Sequence, residues 1–374
     1  MGTAIKGNKQ KINFFRYDFK LIFPVIFLVG TGIIMIYSAS SALALERFKG
    51  EYFFVQRQAV YALIGLAGMF FCAHFPYRYY QRLAYPLLIL SIVLLILVFT
   101  PLGYSAGGAR RWLYISGQSL QPLEFARFAM IIFLAYSLDK KQNIIKTFSR
   151  GLLPHFLLLG IFTGLIMFQP DFGGVTMLWV VTLVILFAGR VCFLHLSFFF
   201  ALMLPAAFCF IFFSNYRLRR FLAFIDPWKY KQDGGHHIIQ SLIAFDSGGV
   251  WGAGVGKSLQ KLFYLPEPHT DFIFSIVGEE LGLCGVLLII IIYSFILWKG
   301  LMISNNAPDL FGSLLAIGIT ASIGLQAFTN MGVTMGVLPT KGLTLPFLSY
   351  GGTSLLIFMA SMGILMNIGR SSKK

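Results

Sequence analysis

Long apolar stretches alternate with short polar connections along almost the whole chain. An α-helix needs about 17–25 predominantly apolar residues to cross a bilayer. Continuous apolar runs without period-two alternation exclude a membrane β-barrel. The pattern therefore predicts an all-α polytopic membrane protein with ten transmembrane helices. The predicted helices lie at residues 21–43, 58–73, 83–100, 123–138, 152–168, 172–189, 191–213, 272–298, 310–331 and 343–367.

The connections differ in basic charge, and this difference predicts the orientation. With the N-terminus inside, sixteen Lys and Arg residues lie in cytoplasmic segments and six in short outer segments. Because cytoplasmic loops of membrane proteins are enriched in Lys and Arg, we expect both termini in the cytoplasm. The chain then forms a single membrane domain, 1–374, with a basic N-terminus at 1–20, a basic tail at 368–374 and an extracytoplasmic loop at 214–270, between helices 7 and 8.

Composition and charge agree with a membrane protein. Hydrophobic residues make up 57% of the chain and charged residues 12%, far from the balance of a soluble domain. The net charge of +16 is explained by cytoplasmic loops facing anionic membrane lipid, so no nucleic-acid partner is expected. The four cysteines form no Cys-x-x-Cys pair, so the sequence predicts no thiolate metal site.

The strongly polar side chains in or beside the apolar stretches gather at the predicted outer ends of the helices. A charge near the hydrocarbon costs at least about 2–3 kcal/mol, so such a collection predicts a functional site. The residues that define this predicted outer site are Arg110, Arg111, Glu124, Arg127, Asp171, Asp271 and Lys341.

Asp271 is placed at the start of the eighth predicted helix. Thr270 is predicted as the N-cap, with Asp271 in the first turn, where the helix dipole favours its ionised form. Capping alone does not explain Glu279 and Glu280, two turns further into the helix. At helical spacing Glu279 lies about 80° from Asp271, where it could share the same cavity, and Glu280 lies roughly opposite, toward a neighbouring helix.

Two sets of basic residues are candidates for binding an anion. Glu124 and Arg127 are three apart and can pair on one helix face. They either neutralise each other within the membrane, or Arg127 reaches Asp271 or an anionic substrate. Arg110 and Arg111 follow two glycines in a predicted outer loop, and guanidinium groups bind phosphate oxygens in pairs.

Two further connections carry candidate residues. Asp171, in Gln-Pro-Asp-Phe-Gly-Gly, is either a simple turn residue or part of the site. Lys341 either snorkels to the surface or lines a cavity. Pro346, Ser349 and a pair of glycines interrupt the apolar stretch that follows it, and such a broken helix is tolerated where it lines a cavity.

These motifs identify a resemblance to the SEDS family (shape, elongation, division and sporulation) along nearly the whole chain. The segment Thr-Lys341-Gly-Leu-Thr-Leu-Pro-Phe, with Ser349-Tyr-Gly-Gly, is similar to the division branch of that family. The resemblance implies a ten-helix enzyme that polymerises lipid II into peptidoglycan outside the cytoplasmic membrane. It implies that Asp271 matches the family's essential aspartate, and that Glu124 and Arg127 match a cavity glutamate and its basic partner, which is usually lysine.

The chemistry of the residues is compatible with this resemblance. A lipid-pyrophosphate donor carries its own leaving group, so the protein must supply a base and positive charge. We expect Asp271 to be the base, with Arg110, Arg111, Lys341 and Arg127 holding phosphate. No cofactor is required, and a divalent cation, magnesium or manganese, bound beside the phosphates stays an open alternative.

The resemblance also implies partners and a location. The expected partners are a class B penicillin-binding protein, which is a transpeptidase, and other membrane proteins of the division complex, at the division septum. Two other functions stay open: a flippase that carries lipid II across the bilayer, and a scaffold for the transpeptidase. Within the family, the elongation and sporulation roles are alternatives to division.

Overall fold

The structure of the protein is a computed structural model of the 374-residue chain, and it is predominantly helical. It describes residues 19–106, 109–115, 118–145, 147–197, 199–201, 212, 215–261, 265 and 268–372. Its helices are α1 (Phe19–Phe48), α2 (Phe53–His74), α3 (Tyr79–Leu97), α4 (Pro122–Lys140), α5 (Leu153–Phe168), α6 (Phe172–Ala188), α7 (Asn215–Ile225), α8 (Gly235–Gly248), α9 (Ile273–Asn305), α10 (Leu310–Thr334) and α11 (Gly352–Ser372).

Within the described residues, seven helices are long and apolar enough to cross a membrane. They are α1, α2, α3, α5 together with the π-helical turn Phe148–Leu152, α9, α10 and α11. Helix α6 is apolar but shorter, and α4 carries charged side chains at both ends. The multi-pass architecture is therefore confirmed. The number of ten spans stays a prediction, because the seventh predicted stretch, 191–213, lies largely outside the described residues.

Sequence features explain where several helices start. Pro122 occupies the first turn of α4, where its missing N–H breaks no hydrogen bond. Asp171 and Asp309 N-cap α6 and α10, and each accepts a hydrogen bond from the backbone N–H three residues later, at 2.9 and 2.8 Å. These caps fix the first residues of both helices, and the start of α6 lies at the candidate site.

The last predicted helix begins later than its apolar pattern suggested. We predicted a helix over 343–367, whereas residues 338–351 form turns and extended chain and α11 starts at Gly352. Pro346 cannot donate to a helical hydrogen bond, and Phe347 has φ 69°, which no right-handed helix accepts. Apolar composition alone therefore misplaced the start of this helix.

The prediction of an all-α fold is wrong in one respect, because the connection between α3 and α4, which we predicted as an outer loop, forms a three-stranded antiparallel sheet. Strand β1 (Gly103–Ala106) pairs with β2 (Ala109–Ile115), which pairs with β3 (Gln118–Leu120). We expected a loosened loop here. Strand β2 contains Trp112, Tyr114 and Ile115, residue types that are enriched in strands. The sequence pairs Gly107-Gly108 and Ser116-Gly117 on either side of it are typical of hairpins, but a run of seven residues is easily overlooked beside apolar stretches of membrane-spanning length.

Burial separates central from peripheral helices. In the most apolar windows of α10 and α11, 67% and 78% of the residues are buried, compared with 28% in α2 and α3. Helix α4 packs against α10, α6 and α3 and is buried on most faces. The core of the bundle therefore lies around α4, α10 and α11, and the candidate site lies at one end of these helices.

Helix α9 is interrupted at Gly282, where φ is 66° and ψ is −166°. The interruption is joined to residues 249–254, which follow α8, by four backbone hydrogen bonds. Two run from Ala253 and Gly254 to carbonyls of α9, and two run from Leu283 and Cys284 back to the 249–254 chain, at 2.9, 3.0, 2.9 and 3.3 Å. We call this arrangement the seam. It satisfies the backbone groups that the break in α9 exposes.

The predicted loop 214–270 contains helices α7 and α8. Helix α8 spans Gly235–Gly248 and begins directly after Gly234, which has φ 112°. It packs against α9 and α10, and Gly248 lies so close to the Gly278 carbonyl that no side chain fits between them. The described part of this loop is therefore built onto the helix bundle.

Candidate active site

Asp271 lies in the turn that leads into α9. We predicted that Thr270 caps this helix and that Asp271 lies in its first turn, and both predictions are wrong. Residues 268–272 form a turn first, so α9 starts at Ile273 with Phe272 as an N-cap that makes no side-chain cap. The Asp271 carboxylate lies against Gly342, where a Cβ atom would be 3.0 Å from Asp271 Oδ2. The segment that precedes α11 thus passes directly beside this acid.

Lys341 extends from that same segment onto the start of α6. Its stem lies against Gly173, where a Cβ would be 3.6 Å from Lys341 Cδ, and its Nζ lies 5.7 Å from the centre of the Phe172 ring. Burial lowers the pKa of the Lys341 ammonium, and the charge of Asp171 opposes that shift. Lys341 therefore points into the protein, toward Asp171, instead of snorkelling away from it.

Arg111 reaches the same corner from β2. Its guanidinium lies 3.9 Å from the Asp171 carboxylate and donates to the carbonyls of Gln169 and Pro170 at 3.2 and 2.9 Å. Asp171 combines two roles, because it also caps α6 through Gly174. The structure therefore places Arg111, Asp171 and Lys341 together, and Lys341 connects them to Asp271 through Gly342.

Arg110 makes different contacts, at a point where the pairing of β1 with β2 is irregular: Arg110 pairs with Ser105 and Trp112 with Tyr104, so Arg111 is the extra residue of a bulge. The Arg110 guanidinium donates to the carbonyls of Phe99, Thr100 and Gly103, just beyond the end of α3. A guanidinium at a helix C-terminus satisfies carbonyls that lack partners. Arg110 thus holds the sheet onto α3, and the structure does not bring it into the cluster around Asp171.

Glu124 and Arg127 form a buried ion pair on α4, with 3.0 Å between Arg127 Nη2 and Glu124 Oε1. Arg127 also donates to the side chain of Gln326 on α10, and the Gln326 amide donates to the Thr344 carbonyl at 3.0 Å. A cavity of about 10 Å³ beside the pair has room for at most a single water. The structure therefore favours the interpretation that Glu124 and Arg127 neutralise each other. Gln326 links the pair to the segment that carries Lys341.

Glu279 and Glu280 bind the segment after the seam. Glu279 accepts hydrogen bonds from the Ser258 hydroxyl and, at 2.8 Å, from the backbone N–H of the following residue. Glu280 pairs with Lys261 at 3.1 Å and accepts from Ser38 on α1. Glu280 therefore faces a neighbouring helix, as expected. Glu279 holds residues 258–260 by hydrogen bonds. None of these hydrogen bonds involves Asp271, with which we expected Glu279 to share a cavity.

Ser349 is buried and supports the tight chain before α11. Its hydroxyl accepts from the Leu345 backbone N–H at 2.8 Å, and its carbonyl accepts from Gln58 at 3.3 Å. The hydroxyl is thus used to shape residues 345–349, beyond the turn that carries Lys341.

Two site residues were missed in the sequence, and both lie on α10. Gln326 and Asn330 are buried amides four residues apart on one helix face. Both donate to backbone carbonyls of the segment before α11. A signal was available, because buried amides inside an apolar helix are costly for the same reason as charges.

The described residues contain no group of three or more His, Cys, Asp or Glu side chains that could hold a metal ion. Two carboxylates, those of Asp171 and Asp271, lie within the described cluster. Oxygen ligands suit magnesium and manganese. A cation beside these carboxylates would therefore take most of its ligands from the phosphates of a substrate and from water.

The chain belongs to the family described as "Cell cycle protein", which groups FtsW, RodA and SpoVE, and the match covers residues 19–374. A relative from Geobacter metallireducens, named probable peptidoglycan glycosyltransferase FtsW, is 42% identical over 100% of this chain and 99% of its own. The stage V sporulation protein E of Bacillus subtilis is 40% identical over 95% of this chain and 98% of its own.

Solved structures have the same fold. A chain from a peptidoglycan synthase complex, described as coordinating polymerization and crosslinking, is 29% identical with a TM-score of 0.78, covering 96% of this chain and 99% of that one. RodA from Thermus thermophilus, a rod shape determining protein, is 27% identical with a TM-score of 0.70, covering 97% and 99%. The family predicted from the motifs is therefore confirmed, and the enzyme class predicted with it is the class in which the relatives are named.

Proposed function

We propose that this protein is a peptidoglycan glycosyltransferase that polymerises lipid II on the outer side of the cytoplasmic membrane during cell division. The names of its full-length relatives support the reaction class. The observation that carries the proposal is the contact between Asp271 and the Lys341-Gly342 segment. This contact brings a carboxylate and a segment that carries an ammonium group, from distant parts of the chain, to one end of the bundle, which supports Asp271 as the base.

The reaction needs one proton acceptor and a place for negative charge. Asp271 takes the proton from the hydroxyl of the acceptor sugar, and the hydroxyl oxygen attacks the anomeric carbon of the donor. The bond from that carbon to the pyrophosphate oxygen breaks, and the lipid pyrophosphate leaves with the electron pair. One base and no enzyme nucleophile suit direct displacement with inversion. Lys341 and Arg111 neutralise the departing charge.

The other candidate residues support these groups. Asp171 orients Arg111 and keeps Lys341 near the site, and the Glu124–Arg127 pair supports the 343–344 chain through Gln326. Arg110, Glu279 and Ser349 hold the surrounding chain. A divalent cation, if one takes part, supplies additional positive charge to the leaving pyrophosphate.

The topology we propose has ten transmembrane helices and both termini in the cytoplasm, with 214–270 as the extracytoplasmic loop of a single domain. The distribution of basic residues supports it. The peptidoglycan synthase complex among the similar structures supports a transpeptidase partner, a class B penicillin-binding protein, within a division complex at the septum. The similarity to a sporulation protein keeps that role as an alternative to division.

A lipid II transporter is the second function to test. Transporters place their polar sites near the bilayer midplane. Here Arg111, Asp171, Asp271 and Lys341 lie in or directly beside the connections at one end of the helices. That placement favours catalysis at the membrane surface. A scaffold role is compatible with catalysis and does not compete with it.

The test is polymerisation of labelled lipid II by the purified full chain with its cognate transpeptidase. We expect glycan ladders from the wild type and none from Asp271→Asn. Asp309→Asn is the matched control, because Asp309 also stands beside a helix start but pairs with Arg78 at the other end of α10. Ladders from Asp271→Asn at the wild-type rate would refute the assignment of the base. An inactive but folded wild type would favour transport, to be measured by flipping of labelled lipid II in vesicles.

A further inference from the structure

We propose that Asn330 on α10 is a positioning residue that sets the distance between Asp271 and Lys341, an inference that rests on the proposed function. The Asn330 Nδ2 atom donates to the Asp271 carbonyl at 2.8 Å and to the Leu343 carbonyl at 2.6 Å. A single buried amide thus joins the two chain segments that carry the proposed base and the proposed phosphate-binding lysine. We call this pair of hydrogen bonds the amide clamp.

Both carbonyls accept a hydrogen bond from outside their own segments. Asp271 lies in the turn over 268–272, and Leu343 lies in the non-helical chain before α11, so neither carbonyl belongs to a helix. A buried carbonyl without a hydrogen bond is costly. A side-chain amide has two N–H groups on one nitrogen, so Asn330 can serve both carbonyls at once.

The clamp acts on the side chains through short lengths of backbone. Leu343 is two residues from Lys341, and the Leu343 N–H donates to the Lys341 carbonyl at 3.0 Å, which closes the turn between them. Gly342, inside that turn, touches the Asp271 carboxylate. A shift of the clamp therefore moves the carboxylate and the ammonium relative to each other.

The clamp is anchored on a buried helix. Asn330 is 2% exposed and belongs to α10, one of the central helices of the bundle. Gln326, one turn away, donates to the neighbouring Thr344 carbonyl but is also bound by Arg127. Of these two amides, Asn330 is the one that contacts the Asp271 segment.

Asn330→Ala removes the clamp, and Asn367→Ala is the matched control. Asn367 is also a buried asparagine that joins two backbone groups, the Ala73 carbonyl at 2.7 Å and the Tyr77 N–H at 3.0 Å. It lies on α11, close to its C-terminal end. The two variants therefore lose similar hydrogen bonds in different parts of the molecule.

Hydrogen exchange tests the clamp without reference to activity. In Asn330→Ala we expect amides of 268–272 and 338–351 to exchange at least about tenfold faster than in the wild type, since the clamp loses two hydrogen bonds. In Asn367→Ala the exchange of these segments stays at the wild-type rate. Unchanged exchange in Asn330→Ala would overturn the clamp.

Kinetics of lipid II polymerisation test the positioning role. A displacement of about 1 Å can cost roughly a hundredfold in rate, so we expect a hundredfold lower kcat in Asn330→Ala with little change in KM. The pH–rate profile should move as well, because loss of the clamp changes the surroundings of the Asp271 carboxylate, the proposed base. Asn330→Gln keeps the two N–H groups and should recover part of kcat.

The outcomes are separable. Faster exchange with wild-type kcat and pH profile would overturn the positioning role. A loss of kcat with an unmoved pH profile, matched by Asn367→Ala, would reduce Asn330 to general stability and overturn it too. An inactive wild type would refute the proposed function instead, and the exchange rates would still decide whether the clamp exists.

Discussion

Replacing Gly282 by alanine should destabilise the protein more than an ordinary substitution in a transmembrane helix. The backbone at Gly282 has φ 66° and ψ −166°, a region that is essentially restricted to glycine. Holding another residue there costs about 1–3 kcal/mol. The new Cβ would also lie only 2.6 Å from the Val250 carbonyl oxygen. The 249–254 chain must therefore move away from α9.

That movement breaks part of the seam. Four backbone hydrogen bonds cross it, and each contributes about 1 kcal/mol. If two of them are lost, the total cost with the backbone strain is roughly 3–5 kcal/mol. At about 2 °C per kcal/mol for a chain of this size, the melting temperature should fall by roughly 6–10 °C.

The assay is thermal unfolding in one detergent, at one scan rate, with Gly68→Ala as the control. Gly68 lies inside α2, and a Cβ there meets no atom within 4 Å. Alanine favours a helix interior over glycine by up to about 1 kcal/mol, so this variant should melt at or above the wild-type temperature. If Gly282→Ala melted within about a degree of Gly68→Ala, the seam would carry no stability and the reasoning would be refuted.

Two further predictions concern buried ionisable side chains, the Glu124–Arg127 pair and His269. Glu124→Gln leaves the Arg127 charge buried without its carboxylate, which should cost about 3–5 kcal/mol of unfolding free energy. The double variant Glu124→Gln, Arg127→Gln should recover much of the lost stability in the same melting assay. Equal melting temperatures of Glu124→Gln and the wild type would contradict the prediction. Burial lowers the pKa of His269 from 6.5 to about 4, so the unfolded chain takes up a proton at higher pH than the folded chain. The unfolding free energy should fall by up to roughly 3 kcal/mol as the pH drops from 6.5 to 4. In His269→Gln the dependence of the unfolding free energy on pH should be flatter. The same pH dependence in that variant and the wild type would refute the assignment to His269.

The sequence predicted the helices wherever a long apolar run had no competing signal. The stretches at 310–331 and 172–189 became α10 and α6 almost unchanged. The prediction failed at the start of α11, where Pro346 and the neighbouring residues override an apolar composition. It also failed for β2. This strand has only seven residues, too few to stand out beside apolar stretches that are long enough to cross a membrane.

The candidate site was predictable in its parts but not in its arrangement. The cost of a charge near lipid singled out Asp271 and Lys341, and the family motifs supported both. Which arginine reaches the cluster depends on the strand that was missed and on its irregular pairing with β1, which leaves Arg110 against the end of α3 and Arg111 against Asp171. The roles of Glu279 and Asn330 depend on contacts with distant segments, which no local pattern encodes.

The seam also determines the order in which the membrane domain can be completed. Within the bilayer, a backbone N–H or carbonyl has no water to bind, so an interrupted helix needs a second segment beside it. The break at Gly282 leaves the N–H groups of Leu283 and Cys284 without helical partners, and in the folded protein they bind the carbonyls of Gly249 and Val250 instead. The first turns of α9, and the Asp271 turn that leads into them, can therefore reach their final positions only after the preceding α8 segment has folded against the helix.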